Sequence, residues 1–219
     1  MKKEFAVIGL GRFGGSIVEE LNELDANVLA IDSDQERVKD FQDIATQSVI
    51  ADTTEESVLK DLGLRNFDHV IVAIGDNIQS SILTTLLLKD IGVKKVTVKA
   101  QSMYHARVLE KIGADFVVHP ERDMGRRIAH KMMSSSVLDY LELSDEFSVV
   151  EYLAGKKLAG RSILELDIRA TYGISIIAIK RDDSIIISPD PNLEIERDDI
   201  LIAIGGDGDL TAFEKKMMD

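Results

Sequence analysis

Gly9, Gly11 and Gly14 stand in the spacing Gly-x-Gly-x-x-Gly, directly after the apolar run Phe5–Ile8 and directly before a helix-period segment opening at Phe13. Glycines at this spacing suit a backbone that must approach a pyrophosphate. One permits the tight turn, one leaves room for the phosphate, and one lets a helix pack close on the strand before it. The first N–H groups of that helix, with its dipole, favour the phosphate charge. Asp32 follows at the end of a second apolar run, where a carboxylate accepts hydrogen bonds from ribose hydroxyls. Its charge opposes a ribose 2′-phosphate, so NADP is not expected. NAD, ATP and ADP all satisfy the spacing.

Two further stretches converge on the same place. Asp52-Thr53-Thr54 closes a third strand, and Ala73-Ile74-Gly75-Asp76-Asn77 closes a fourth. Arg12 departs from a plain dinucleotide loop: a guanidinium there reaches terminal phosphates, those of its own ligand or of a neighbouring subunit's. The alternative is a solvated surface arginine. What a dehydrogenase would need is not evident. His69, His105, His119 and His130 are scattered without the spacing of a metal site or a dyad, and no Tyr-x-x-x-Lys pair appears in the first half. These features favour binding over catalysis.

The elements that must position these residues alternate from the start. Strands are expected at Phe5–Ile8, Val28–Ile31, Ser48–Ile50, Val70–Ala73, Val96–Lys99 and Phe116–Val118. Helices are expected at Phe13–Leu24, Glu36–Phe41 (capped by Ser33 or Asp34), Thr54–Leu62, Ile78–Asp90 and Met103–Ile112. Apolar strands linked by helices indicate an α/β fold, a Rossmann-type doubly wound parallel sheet buried on both faces. A helix over Arg122–Met133, a break at Ser134-Ser135-Ser136 and a short apolar segment, Val137–Leu143, follow. Strands then crowd together at Phe147–Leu153, Ile174–Ile179, Ser184–Ile187 and Ile200–Ile204, with short helices at Ser162–Leu166 and Leu210–Met217. The expected division is a nucleotide-binding domain over 1–134, including a crossover helix, and a smaller α+β domain over 135–219. A domain that small is marginal on its own core and gains stability by dimerising.

The whole chain, 219 residues with a formal charge of -13, lacks the basic footprint of a nucleic-acid binder or of a protein adsorbed on anionic lipid. It has no cysteine, which excludes disulfides, thiolate metal sites and thiol catalysis. Met1-Lys2-Lys3-Glu4 runs straight into the first strand without a secretory signal. The longest apolar runs, near Val70–Ile74 and Ile82–Leu88, fall short of the roughly 20 residues of a bilayer span. A cytoplasmic protein with no direct membrane insertion is expected.

Several segments together carry a family resemblance. Val7-Ile8-Gly9-Leu10-Gly11-Arg12-Phe13-Gly14-Gly15, Ile50-Ala51-Asp52-Thr53-Thr54, Val72-Ala73-Ile74-Gly75, Val98-Lys99-Ala100-Gln101 and Ile112-Gly113-Ala114-Asp115 resemble the RCK (KTN) family. Within it they resemble the cytosolic regulatory subunits of Ktr potassium transporters, over the full length of the chain. The resemblance implies homodimers assembled into an octameric ring, docked on a potassium-translocating membrane subunit of the KtrB or KtrD type. It implies that ATP favours an active ring and ADP an inactive one. The residues it implicates are Gly9, Gly11, Arg12, Phe13 and Gly14 in the loop, Asp32 at the ribose, and Asp52 and Thr53 beside the base. Ala73, Ile74 and Gly75 complete the crevice, and Lys99 stands near the phosphates. Arg12 would touch the γ-phosphate of ATP in the adjacent subunit. Glu121 resembles a family acid that meets Mg2+ or another cation at the ATP site, although a glutamate at a helix start is also favoured by the dipole alone.

The resemblance further implies cyclic di-AMP, an inhibitor, at the dimer interface of the C-terminal lobe. Ile163, Ile168, Arg169, Ala170, Ile174, Ser175, Ile176 and Pro189 occupy the matching stretch, and Ser175 stands where relatives often carry asparagine. Isoleucines at strand spacing equally describe a core. From the residues alone, an NAD(H)-binding sensor or dehydrogenase on the same fold is the alternative function.

Overall fold

A computed structural model of the protein describes residues 2–144 and 146–218. The chain divides into two compact units, Met1–Glu121 and Arg122–Asp219.

The first unit alternates β1 (Glu4–Ile8), α1 (Arg12–Glu23), β2 (Asn27–Asp32), α2 (Gln35–Asp40), β3 (Gln47–Ile50), α3 (Glu56–Asp61), β4 (His69–Val72), α4 (Ile78–Asp90), β5 (Val96–Lys99), α5 (Met103–Lys111) and β6 (Phe116–Val118). The six strands form one sheet in the order β3-β2-β1-β4-β5-β6, every neighbour parallel. Alternate residues explain why both faces are dry. Ala6, Ile8, Leu29, Ile31, Val70 and Val72 enter one core cluster, while Val7, Val28, Ala30 and Ile71 enter another on the opposite face.

The local signals mostly set the helix starts. Asp34 rather than Ser33 caps α2, accepting from the Glu36 amide at 2.9 Å. Asn77 caps α4 through the Ser80 amide at 3.0 Å, and Ser102 caps α5 through the His105 amide at 3.2 Å. The third helix differs from expectation: α3 opens at Glu56, not at Thr54. Asp52 accepts from both the amide and the hydroxyl of Thr54, at 3.0 and 2.7 Å, and this local turn competes with helical backbone. A 3-10 turn at Leu64–Asn66 follows α3.

A helix, α6 (Pro120–Met133), begins at the end of the first unit and continues into the second. The second unit then runs β7 (Val137–Glu142), β8 (Phe147–Leu153), α7 (Ile163–Leu166), α8 (Ile168–Tyr172), β9 (Ser175–Arg181), β10 (Ser184–Ile187), β11 (Ile200–Gly206) and α9 (Asp207–Met217). Its sheet is antiparallel, in the order β10-β9-β11-β8-β7. Tyr152, Leu158, Ile179, Leu201 and Phe213 form its centre. The Tyr152 hydroxyl, carried inside, donates to the Leu210 carbonyl at 3.0 Å. Helix α8 is an element the residue pattern did not suggest. Asp167 turns the chain at φ 42° between two very short helices, and Gly173 ends the second at φ 73°, so no apolar period is long enough to register.

Candidate functional site

In the first sheet the strand order reverses at β1. The chain steps from β1 to β2 and β3 on one side, then crosses to β4, β5 and β6 on the other. The crevice beyond the carboxyl ends of β1 and β4 is where an open parallel sheet takes its ligands. The glycine loop crosses it. Gly9 has φ 94°, and a Cβ there would lie 2.9 Å from the Ala73 carbonyl carbon. A Cβ on Gly14 would lie 1.9 Å from the Gly9 oxygen, so α1 can pack this close only with glycine there. At Gly11 the nearest atom to such a Cβ is 3.9 Å away. That atom is Arg37 Nη1, so a side chain at this position would meet no close contact. Gly11 is also the N-cap of α1 and offers no side-chain acceptor to the first turn, which holds no acidic residue. Those N–H groups face the crevice as an anion site.

The resulting cavity has a volume of about 650 Å³ and is lined by residues at the ends of five strands, β1 to β5, and from the helices that follow. Gly9, Gly11, Arg12, Phe13, Asp32, Asp52, Thr53, Ala73, Ile74, Gly75, Lys99 and Glu121 all line it, so the residues implicated in the first unit come together. Asp32 is 7% exposed and accepts from the amides of Leu10 at 2.7 Å and Asp34 at 2.9 Å. These bonds aim the carboxylate into the cavity, with capacity left for a diol. Asp52 is exposed, and its turn onto Thr54 holds its carboxyl below the usual range. Thr53 is buried and its hydroxyl is committed to Thr84 Oγ1 at 3.0 Å, leaving backbone rather than side chain to meet a ligand.

A second group of charges lines the same cavity. Lys99 Nζ lies 5.8 Å from the centre of the Phe13 ring and ion-pairs with Glu121. That hydrogen bond holds the Glu121 carboxyl below its usual range, and the charge of Arg12 acts in the same direction. The Arg12 side chain is exposed at the first position of α1. Among the described residues, no group of three or more His, Asp and Glu side chains converges as a metal cluster. Glu121 is a single carboxylate already held by an ammonium.

One charged lining residue is not evident from the sequence. Arg37, on α2, places its guanidinium 3.7 Å from Asp32, 3.8 Å from Asp34 and 3.6 Å from Asp76. It thereby spans from the end of β2 to the loop after β4, over Gly11. In sequence it looks like an ordinary solvated helix charge. The only hint was a cation shortly after two carboxylates, Asp32 and Asp34.

The histidines take other places. His69 Nε2 shares a hydrogen bond with Thr97 at 2.8 Å, His105 is buried in α5, and His130 stacks on Tyr140 at 4.1 Å. In the second unit, Ile168 and Ile174 are buried, and with them Ile163 and Ile176 pack on the same core. Arg169 and Ala170 on α8 are exposed, while Ser175 and Pro189 are half-buried. The surface here is therefore offered by Arg169, Ala170 and the partly exposed edges of Ile163, Ser175, Ile176 and Pro189. Ile168 and Ile174 lie beneath it.

The two units match known domains. A TrkA-N domain spans residues 5–120 and a TrkA-C domain residues 148–218. Over 218 residues the chain is 61% identical to Ktr system potassium uptake protein C of Bacillus subtilis (strain 168), covering 100% of this chain and 99% of that protein. The chain belongs to the Ktr system potassium uptake protein family. Ktr system potassium uptake protein A of the same organism is 52% identical over 216 residues, covering 99% of this chain and 97% of that one. Among solved structures, the GsuK channel bound to NAD superposes with a TM-score of 0.71 at 17% identity. The match covers 98% of this chain and 39% of that one, a likeness of fold alone. No helix among the described residues of this Ktr-family chain is long and apolar enough to cross a membrane.

Proposed function

We propose that the chain is a nucleotide-gated regulatory subunit of a potassium uptake system, with ATP and ADP as its ligands. The observation that carries this reading is the set of groups that line one crevice. Asp32 is held there by two amides. A glycine loop with an open helix start borders the same space, and Arg12 and Lys99 line it as well. An adenosine diol, a diphosphate and a terminal phosphate find a suitable partner in each. Arg12 is exposed, which suits a contact to phosphate bound by a neighbouring subunit in a ring. Family membership supports dimers assembled into an octamer on a membrane subunit of the KtrB or KtrD type, at the inner face of the cell membrane.

Nothing need be turned over for such a device to work. ATP and ADP shift a two-state ring by their different affinities for its two states. A cation such as Mg2+ would be held by Glu121 together with phosphate oxygens, where it would relieve the repulsion between nucleotides facing each other across a dimer. Cyclic di-AMP is assigned to the second unit, where Arg169 is the cation beside the apolar edges of Ile163, Ile176 and Pro189.

Calorimetry and small-angle scattering test the reading together. ATP and ADP should both bind in the micromolar range and give rings of different shape. Arg12→Ala should keep nucleotide binding and lose the shape change. NADH is the competing ligand on this fold. A tenfold preference for NADH over ATP, about 1.4 kcal/mol, would replace the ATP reading with an NAD(H) sensor.

A further inference from the structure

We infer that Glu121 is a built-in competitor for the phosphate chain, occupying the Lys99 ammonium in the empty crevice and so setting how tightly a nucleotide binds. The inference rests on the nucleotide reading above. Four observations lead to it. Lys99 is the cation set deepest in the cavity wall, its side chain 12% exposed, whereas that of Glu121 is 70% exposed. The ammonium lies over the Phe13 ring, 5.8 Å from its centre, and beside Gly75, which carries no side chain to crowd it. The carboxylate reaches it from the solvent side, off the first turn of α6. Both groups line the same cavity as the open first turn of α1.

A carboxylate on a lysine beside a helix N-terminus occupies the place a phosphate oxygen would take. An ammonium is a compact point charge with three donors, and a phosphate with two ionised oxygens is the stronger partner for it. An incoming diphosphate therefore takes Lys99 and displaces Glu121 towards solvent, where its exposure lets it go cheaply. The displaced carboxylate then stands beside phosphate oxygens, and only at that point can it help to hold a cation. Glu121 thus opposes nucleotide when cation is absent and assists it when cation is present. A residue that were only a metal ligand would do the second alone.

The test is a double-mutant cycle on full-length protein, read by ADP titration in chelator with nucleotide up to millimolar concentrations. Glu121→Gln should tighten ADP binding about two- to fivefold, the range of a partly exposed ion pair. In a Lys99→Met background the same substitution should leave ADP affinity within about 1.5-fold, because the contested partner is gone. With Mg2+ present, Glu121→Gln should instead weaken ADP. Unchanged or weaker ADP binding by Glu121→Gln in chelator overturns the inference. Equal tightening in both backgrounds overturns it too, since that is like-charge repulsion and not competition. Failure of the unsubstituted protein to bind ADP at all overturns the nucleotide reading itself, a separate and recognisable outcome.

Discussion

The carboxylate of Asp32 accepts the Leu10 amide at 2.7 Å in a buried contact, tying the end of β2 to the glycine loop. The bond does two things at once. It aims the acceptor into the crevice, and it fixes the loop whose next residue, Gly11, starts α1. Asp32→Asn keeps the shape but places an amide group where two backbone N–H donors must be met. A stability loss of about 1–2 kcal/mol is expected, read by urea unfolding. Adenine nucleotide affinity should fall at least tenfold, because a charged acceptor of the ribose diol is lost.

Gly11 and Gly14 should separate folding from binding. A methyl at Gly14 meets the Gly9 oxygen at 1.9 Å, and neither backbone can yield without moving α1 off the sheet. Gly14→Ala should cost more than about 3 kcal/mol or abolish soluble protein. A methyl at Gly11 has its nearest neighbour at 3.9 Å and should change stability by less than about 1 kcal/mol. It should nevertheless impair ADP binding severely, since it fills the space a phosphate must enter.

His105 gives the first unit a pH-dependent stability. Burial lowers its pKa, and the nearby His119 acts in the same direction. Its Nδ1 accepts the Gln101 amide at 3.3 Å, a bond that protonation would abolish. The unfolded chain therefore takes up this proton more readily than the folded one, so stability is full above pH 6.5 and declines as pH falls below it. Urea midpoints measured from pH 7.5 down to 5 should drop for the parent protein. His105→Gln should flatten part of that drop. His69, also lowered by burial, adds a component of the same sign that remains.

The second unit is held by a buried carboxylate at its sheet. Asp199, 1% exposed, accepts from Arg181 Nε and Nη2, both at 2.8 Å, and from the Glu196 amide at 2.8 Å. Asp199→Ala leaves the Glu196 amide without its acceptor and reduces Arg181 to its contacts with the Glu196 carboxylate and the Glu194 carbonyl. A loss of about 3 kcal/mol is expected, far above that of an exposed pair such as Lys60 with Glu56, worth about 0.5 kcal/mol.

Arg37 should act on ligand choice more than on folding. Its three carboxylate neighbours stand at 3.6–3.8 Å around a side chain 44% exposed, so Arg37→Ala should alter stability by under about 1 kcal/mol. It removes the one cation among Asp32, Asp34 and Asp76. Discrimination against NADPH relative to NADH, measured by competition, should rise, because a 2′-phosphate would then face only negative charge.

Much of this molecule is local in origin. Apolar runs at regular spacing indicated a parallel sheet, dry on both faces at its central strands while Ile50 and Phe116 on the flanking ones stay half exposed, and three glycines at fixed offsets marked the loop after β1. Asp32 was legible from its place at the end of a strand, whereas Lys99 and Glu121 were named only through the family resemblance. The misses share one cause. Thr54 looked like a helix start until Asp52 captured it in a turn, and α8 is too short to show a period. Arg37 meets Asp76 only because β2 and β4 flank the same strand, and Lys99 meets Glu121 across 22 residues of chain. Periodicity and turn chemistry act over a few residues, so the sequence by itself determined the sheet, the glycine loop and the carboxylate at the end of β2. Which charges face one another across the crevice was decided by strand order, a property of the folded sheet that no short stretch of residues contains.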